Sequence, residues 1–388
     1  MTRFTLGCLM LLIGSSSTKP VIGQDEVRKT FAEFSGESAR YLKRLHGKNT
    51  ENPGFGTLAF RTDYTGGFKA WQRDARKKLV DLLGLPQIEQ SVGGHRTVVQ
   101  IGERIQEDGY HRQRGCIETE PNVTIPFWLL TPDGKADSQR PLAICAHGHD
   151  SDGWNTYAGV YRDDNHQRTT LAKDGNPGVQ AVKQGFVTIV PATRGLASAV
   201  SIPDVKGRHG KRACRAQLIH CLLAGRTAMG ERVWDTQRIV DWATTELPGV
   251  DPKKVVLLGN SGGGVLTVYV AALDERIKVA VPSCSFTSFT SSTGFVFHCD
   301  CCLVPRAQTE LGDMADIGAM TAPRALLAVH GRKDSLHHFP DVEAAMARVS
   351  SIYSAAGALN HFQHKWGAEG HKFYPDIMWP FIEAALAN

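Results

Sequence analysis

The sequence has 388 residues, of which 42% are hydrophobic and 21% are charged, without a long run of one sign. Such a composition excludes an intrinsically disordered protein and fits one large α/β domain or two ordinary domains. The net charge of +5 is small and dispersed, which excludes nucleic-acid binding through a strongly basic surface.

The first residues predict a secretory signal peptide over residues 1–23. Arg3 precedes an apolar run over residues 4–14, and Val21 and Gly23 stand at the two positions before the expected cleavage site that prefer small residues. The run is too short for a permanent membrane anchor, and no later stretch is long and apolar enough to cross a bilayer. We therefore expect a periplasmic or secreted protein without an anchor; the alternative is a disordered start of a cytosolic protein.

Residues 24–95 predict an N-terminal helical extension. Apolar residues recur at helical spacing from Asp25 to Leu45 and again from Phe68 to Leu83. Gly84 and Pro86 end the second stripe. Nothing in these helices indicates chemistry, so we expect them to pack on the main domain.

Residues 96–388 predict the catalytic domain, in which antiparallel-type strands come first and β-α repeats follow. The predicted strands are Arg96–Ile101, Tyr110–Glu118, Ile125–Thr131, Leu142–Ala146, Phe186–Val190, Val255–Leu258, Val279–Val281, Ala325–Val329 and Phe362–Trp366, and the main helices are Val233–Trp242, Val265–Leu273, Val342–Tyr353 and Pro375–Ala387. Uninterrupted apolar strands of this kind predict a mostly parallel sheet with helices on both faces. The basic segment Ala197–Thr227 lacks predicted elements and is either a lid beside the active site or a solvated loop.

The strongest chemical signal is the G-x-S-x-G sequence around Ser261. An apolar strand precedes it and a helix-forming segment follows it, which is the context of a nucleophile elbow. The flanking glycines suit a sharp, strained turn, and the N–H of Gly262 at the helix N-terminus would stabilise an oxyanion. The alternative is a tight glycine-rich turn without chemistry.

A second oxyanion donor is expected from the loop after the strand Leu142–Ala146. This loop contains His147, Gly148 and His149, and we predict the backbone N–H of His149 as the donor. His147 fits a structural hydrogen-bonding role better than a catalytic one.

Serine needs a base that is oriented by an acid, and in this fold the chain order is Ser, Asp or Glu, then His. Asp334 follows the strand Ala325–Val329 directly, whereas its rival Asp341 fits the first turn of a helix. His371 lies in a loop between the last predicted strand and the final helix. It is therefore the predicted base among the 15 histidines.

Arg194 follows the strand Phe186–Val190 at the same edge of the sheet. It is a candidate for substrate binding, with an ion pair that braces the elbow as the alternative.

The segment from His298 to Cys302 is rich in cysteine. Its donors are adjacent or alternate, unlike the spacing of zinc sites, so the sequence favours disulfides or a packed turn and predicts no metal and no cofactor.

Five stretches together resemble the bacterial α/β-hydrolases that are grouped with acetyl xylan esterases and dienelactone-hydrolase-like proteins. In single letters they are AGRTAMGERVWDTQRIVDWA from Ala224, DPKKVVLLGNSGGG from Asp251, HCDCCLVP from His298, APRALLAVHGRKD from Ala322 and GAEGHKFYP from Gly367. The likeness covers the chain from about Gly109 to the C-terminus. It implies an α/β-hydrolase fold and an exported Ser-Asp-His esterase acting on small ester groups, including those of polysaccharides. One departure is Cys302, where relatives carry asparagine, and it leaves the substrate open.

The sequence thus predicts a serine esterase whose substrate is a small-molecule or polysaccharide ester, of undetermined oligomeric state. One alternative is a peptidase of the prolyl-oligopeptidase type, although the region before the hydrolase core is too short for that group's propeller domain. The other is a binding protein that keeps the fold without catalysis.

Overall fold

The structure is a computed structural model that describes residues 36–38, 40–42, 45, 56–134, 139–291 and 295–387. The predicted signal peptide and most of the helix predicted from Asp25 lie outside these residues.

Ten strands form one sheet. They are β1 Val98–Ile101, β2 Ile105–Glu107, β3 Tyr110–Glu120, β4 Val123–Pro132, β5 Arg140–Ala146, β6 Val187–Pro191, β7 Val250–Asn260, β8 Ile277–Ser283, β9 Ala325–Gly331 and β10 Phe362–Gly367. Their spatial order is β1-β3-β4-β6-β5-β7-β8-β9-β10, with β2 paired to β3. All nine predicted strands are present, and only β2, which is three residues long and largely exposed, was not predicted.

The sheet is antiparallel at one end and parallel through the rest. β3 pairs antiparallel with β1, β2 and β4, and β4 pairs antiparallel with β6. From β6 onward every neighbouring pair is parallel. This confirms the predicted α/β fold with a mostly parallel sheet.

Twelve helices are longer than a single 3-10 turn in the part of the chain from Gly67 onward that the structure describes. They are α1 Gly67–Leu83, α2 Leu85–Val92, α3 Gly153–Tyr157, α4 Asp164–Leu171, α5 Pro177–Lys183, α6 Ala213–Leu223, α7 Ala228–Thr245, α8 Gly262–Leu273, α9 Ala307–Glu310, α10 Met314–Ala319, α11 Phe339–Ala355 and α12 Pro375–Ala387.

Helix α1 confirms the helix predicted from Phe68 to Leu83. Trp71, Ala75 and Leu79 are buried on one stripe of this helix, as the spacing predicts. Gly84 ends it in the left-handed conformation at φ 76°. Pro86, however, does not close the helical region, because it occupies the first turn of α2, where a missing N–H costs nothing.

The two faces of the sheet bury separate clusters, because successive side chains of a strand point to opposite sides. In β7, Val255 and Leu257 pack with α1, α7 and α8, whereas Val256 and Leu258 pack with α5 and α12. Helices therefore cover both faces, and the parallel strands direct their carboxyl ends to one edge of the sheet.

The segment Ala197–Thr227 is not free of regular structure, and that expectation was wrong. It contains α6, over Ala213–Leu223, in which Cys214, Ala216 and Gln217 are buried. The apolar residues of this helix do not follow a clear 3.6-residue stripe, which is why periodicity failed to indicate it.

Candidate functional site

Ser261 lies in the turn between β7 and α8, at the carboxyl edge of the sheet. Its backbone adopts φ 57° and ψ −126°, a conformation that residues other than glycine rarely adopt. The end of the neighbouring strand β5 lies closely behind this turn, so that a Cβ on Gly263 would collide with the carbonyl oxygen of Ala146. The glycine that follows Ser261 by two residues is therefore a steric requirement of the turn.

The loop after β5 lies directly against this turn. A Cβ on Gly148 would lie 2.9 Å from the Cβ of Ser261 and 3.3 Å from the backbone nitrogen of Gly262. The two backbone segments that were predicted to supply oxyanion donors, at Gly262 and His149, are thus brought together.

His147 anchors this loop from within the core. Its Nε2 accepts a hydrogen bond from the N–H of Thr193 at 2.8 Å. Burial lowers the pKa of the His147 imidazole to about 4, so that the ring stays neutral near pH 7. The contact agrees with the structural role expected for this histidine.

Asp334 and His371 form a hydrogen-bonded pair on the loops that follow β9 and β10. The His371 Nδ1 lies 2.7 Å from Oδ2 of Asp334. Asp334 is only 2% exposed, and its Oδ1 also accepts the N–H of Leu336 at 3.0 Å. Burial alone would raise the pKa of this carboxyl, but the hydrogen bond with His371 and the nearby imidazole of His337, whose Nδ1 lies 3.5 Å from Oδ2, outweigh burial and hold the pKa below its usual range.

The rival carboxylate, Asp341, has another environment. It lies in the first turn of α11, and its Oδ2 is 2.6 Å from Nδ1 of His338. A carboxylate at a helix N-terminus is stabilised by the helix dipole, which is the structural role expected for it.

Ser261 and His371 both border two clefts. The larger has a volume of about 740 Å³ and is also lined by residues 195–198, Lys211 and Arg212. The smaller has a volume of about 380 Å³ and is also lined by Tyr157 and Phe373. The serine and the histidine thus border open space in both clefts.

Arg194 does not face either cleft. Its guanidinium is buried and binds Asp235 at 2.9 Å through Nε and at 2.5 Å through Nη2. It also lies 2.7 Å from Glu120 and 3.4 Å from Glu231. The substrate-binding role predicted for Arg194 thus finds no support in this geometry, because these carboxylates occupy its donors; the ion-pair alternative describes the arrangement.

The segment Ala197–Thr227 forms one wall of the larger cleft. Lys211, Arg212 and Cys214 line the cleft from this segment, and Cys299 and Cys302 line it from the segment that contains Asp300–Cys302. The two segments are far apart in the sequence, and linear spacing does not show that they meet.

A cluster of donors lies beside Ser261 that sequence analysis missed. The side chains of His149, Cys214, Cys299 and Cys301 converge there, with His149 Nε2 at 3.2 Å from Cys301 Sγ. His149 was considered only for its backbone, and Cys214 only as one of several cysteines. The cysteine-rich segment was the one available signal.

The eight cysteines from Cys116 onward, all within the described ranges, are free thiols. Among the helices that the structure describes, none has the length and apolar character required to cross a membrane.

Comparison with protein families gives two matches. A model described as the Abhydrolase family matches residues 52–290, and a model described as the Prolyl oligopeptidase family matches residues 223–375. Both matches include Ser261, and the second also includes Asp334 and His371.

A relative of known sequence matches part of the chain. YtaP of Bacillus subtilis (strain 168), described as a candidate hydrolase, is 27% identical over 158 residues, which are 39% of this chain and 50% of that protein. The chain therefore spans about half the length of this curated relative.

Two solved structures align with most of the chain. A candidate acetyl xylan esterase from Bacteroides fragilis NCTC 9343 is 16% identical at a TM-score of 0.65, covering 91% of this chain and 88% of that one. A glucuronoyl esterase from Solibacter usitatus is 13% identical at a TM-score of 0.62, covering 86% and 97%. At these identities the structures establish a shared fold.

Proposed function

The chain belongs to the Abhydrolase family of α/β-hydrolases, and on that premise we propose that it is a serine esterase with Ser261, His371 and Asp334 as its catalytic triad. One observation carries the proposal. Ser261, on a strained strand-to-helix turn, borders the same cleft as His371, and the Nδ1 of His371 is paired with the buried carboxylate of Asp334.

The proposed reaction begins with attack of the Ser261 Oγ on the ester carbonyl. His371 takes the hydroxyl proton through Nε2, because Nδ1 is engaged with Asp334, and later donates it to the leaving alcohol. Asp334 fixes the tautomer of the ring and stabilises the imidazolium that forms. A water molecule, deprotonated by His371, then attacks the acyl-enzyme carbonyl. The acid is released, and Ser261 takes back its proton from His371.

The developing oxyanion would be held by backbone N–H groups of Gly262 and His149. The first N–H groups of a helix have no partner within the helix, and Gly262 is the first residue of α8. Gly148 allows the β5 loop to lie against Ser261, so that a donor at His149 would reach the same oxygen.

The experiment for this proposal is covalent labelling with a fluorophosphonate, which reacts with activated serines. We expect one label per chain, located at Ser261 by peptide mass spectrometry. A folded protein that stays unlabelled, or one labelled at another serine, would reject the assignment.

For the substrate, we propose esters of polysaccharides that carry anionic sugars. Two structural relatives are described as an acetyl xylan esterase candidate and a glucuronoyl esterase, which favours polysaccharide esters. The larger cleft has the cation Lys211 on its wall, beside Arg212, which contacts Cys299 Sγ, and its described lining contains no aspartate or glutamate. Such a cleft favours negatively charged ligands.

The second candidate function is peptide hydrolysis, favoured by the match to the Prolyl oligopeptidase family over residues 223–375. Ester and amide cleavage use the same triad, so the discriminating measurement is kcat/KM on an acetyl ester and on a prolyl amide of the same chromophore. A preference for the amide would replace the esterase proposal.

We also propose export, with residues 1–23 removed as a signal peptide, residues 24–95 as an N-terminal extension and residues 96–388 as the catalytic domain. N-terminal sequencing of the protein recovered outside the cytoplasm should begin at Gln24. Recovery of the intact N-terminus from the cytoplasm would reject export.

A further inference from the structure

Four potential metal donors meet on one side of the larger cleft. They are the side chains of His149, Cys214, Cys299 and Cys301, and their donor atoms all lie within 4.8 Å of one another. These residues come from three separate parts of the chain: the loop after β5, the first turn of α6, and the turn that includes Asp300–Cys302. A set of three sulfurs and one imidazole is a known donor set for closed, structural zinc sites.

The spacing of the donors fits a tetrahedral ion. Zinc–sulfur bonds of about 2.3 Å place two sulfurs of a tetrahedron about 3.8 Å apart. Cys299 Sγ and Cys301 Sγ are 3.8 Å apart. His149 Nε2 is 3.2 Å from Cys301 Sγ, close to the nitrogen–sulfur edge of about 3.5 Å in the same tetrahedron.

A buried cation beside the cluster supplies an independent observation. Arg232 is 1% exposed, and within the described part of the chain its guanidinium forms no ion pair with a carboxylate. Its hydrogen bonds go to the neutral oxygens of Arg194, Cys301 and Gln217, and a long contact of 4.0 Å joins Nη1 to Cys302 Sγ. A buried guanidinium normally requires a nearby negative charge.

A zinc–thiolate group would supply that charge. Three thiolates and one Zn²⁺ carry a net charge of −1, and binding releases the three thiol protons to solvent. Arg232 Nη1 donates to the carbonyl oxygen of Cys301 at 3.1 Å, and Arg212 Nη1 donates to Cys299 Sγ at 3.5 Å. The cluster therefore has cationic partners on its buried side and on its cleft side.

We propose that His149, Cys214, Cys299 and Cys301 bind one zinc ion in a structural site next to the catalytic centre. The ion would join α6 and the Cys299–Cys302 turn to the loop after β5. The ring of His149 lies between the proposed zinc site and the turn at Ser261. Its Nε2 is 3.2 Å from Cys301 Sγ, and its Nδ1 is so close to Gly262 that a Cβ on that glycine would lie 2.8 Å from it.

A disulfide is the competing use of these thiols. The Cys299 and Cys301 sulfurs are 3.8 Å apart, well beyond the length of about 2.05 Å for a sulfur–sulfur bond. A disulfide would also engage only two of the three sulfurs and would leave the imidazole without a role. The fourfold convergence is therefore better explained by a metal ion.

The test is the metal content of the full chain, purified without chelators after growth with zinc. We expect one zinc per chain by inductively coupled plasma mass spectrometry. Cys214→Ser and Cys299→Ser should lose the metal, whereas the matched control Cys221→Ser, a buried free cysteine on the same helix as Cys214, should keep it. Ser261→Ala should also keep it, which separates this proposal from the esterase proposal.

Cobalt substitution of the wild-type chain keeps the test independent of variants that fail to fold. The apo protein, titrated with Co²⁺, should show the intense visible absorption of tetrahedral cobalt–thiolate coordination and release of thiol protons. Metal-free protein with reactive thiols, a disulfide between Cys214 and Cys299 or Cys301 in the freshly isolated chain, or full zinc content in Cys299→Ser would each overturn the proposal.

Discussion

The Nδ1 atom of His371 lies 2.7 Å from Oδ2 of Asp334, a carboxylate that is almost fully buried. This contact leaves Nε2 as the ring nitrogen available to the cleft. In the proposed mechanism, a carboxylate that is itself buried therefore orients His371. The two side chains come from loops after neighbouring parallel strands, which the fold places side by side.

Replacement of Asp334 by asparagine should therefore reduce kcat without removing the histidine. The amide would donate where the carboxylate accepts, so that His371 adopts the wrong tautomer, and we expect kcat for an acetyl ester to fall by about 10³–10⁴. The control is Asp341→Asn, which alters the rival carboxylate beside His338 and should keep kcat near the wild-type value. The opposite ranking would assign the acid to Asp341.

The carboxylate of Asp334 makes the free energy of unfolding depend on pH. The pKa of Asp334 is lower in the folded protein than in the unfolded chain, so its stabilising contribution is present above about pH 4 and is lost as the pH falls through the folded pKa. The difference in free energy of unfolding between the wild type and Asp334→Asn, measured in urea, should therefore shrink from about pH 5 to about pH 3. A difference that stays constant or grows over this range would contradict the account.

Arg194→Leu should destabilise the protein without a specific effect on substrate binding. The change would leave three buried carboxylates near one another without their main cation, at a cost of about 3–5 kcal/mol. The free energy of unfolding should fall by that amount while KM of the folded fraction stays unchanged. The exposed control Arg168→Leu should change stability by less than about 0.5 kcal/mol. A raised KM with intact stability would return Arg194 to the substrate site.

Lys211→Gln should weaken binding of anionic substrates. We expect KM for an acetylated oligosaccharide that carries a uronic acid to rise up to about fivefold, which corresponds to about 1 kcal/mol for an exposed ion pair, and the effect to vanish at high salt. KM for its neutral counterpart should not change. Lys206→Gln, exposed on the same segment but outside the described lining of the cleft, is the control. An equal rise in KM for both substrates would reject the proposal that Lys211 binds the anionic sugar.

Sequence alone predicted nine of the ten strands and a mostly parallel sheet because apolar strands and the glycines around Ser261 are local signals. It also placed Asp334 and His371 on loops after β9 and β10, because polar residues after buried strands are readily recognised. It could not show the partners of Arg194, since Glu120, Glu231 and Asp235 come from distant parts of the chain.

The cysteine cluster escaped sequence analysis for the same physical reason. Spacing rules detect metal sites whose ligands lie on one short segment, whereas here His149 and Cys214 are contributed by other elements than Cys299 and Cys301. Helix α6 escaped because it has no clear apolar stripe. Without that helix, Cys214 could not be placed opposite the cysteine-rich turn.

Whether Ser261 is the nucleophile of an esterase is decided by kcat/KM on p-nitrophenyl acetate for the wild type, Ser261→Ala and the control Ser201→Ala. Ser201 lines the same cleft and is exposed, so its loss should have little effect. We expect robust turnover by the wild type and by Ser201→Ala, and a loss of about 10⁴–10⁶ in kcat/KM for Ser261→Ala with unchanged circular dichroism. Turnover that survives in folded Ser261→Ala, or a folded wild type without activity on any short-chain ester, would contradict it.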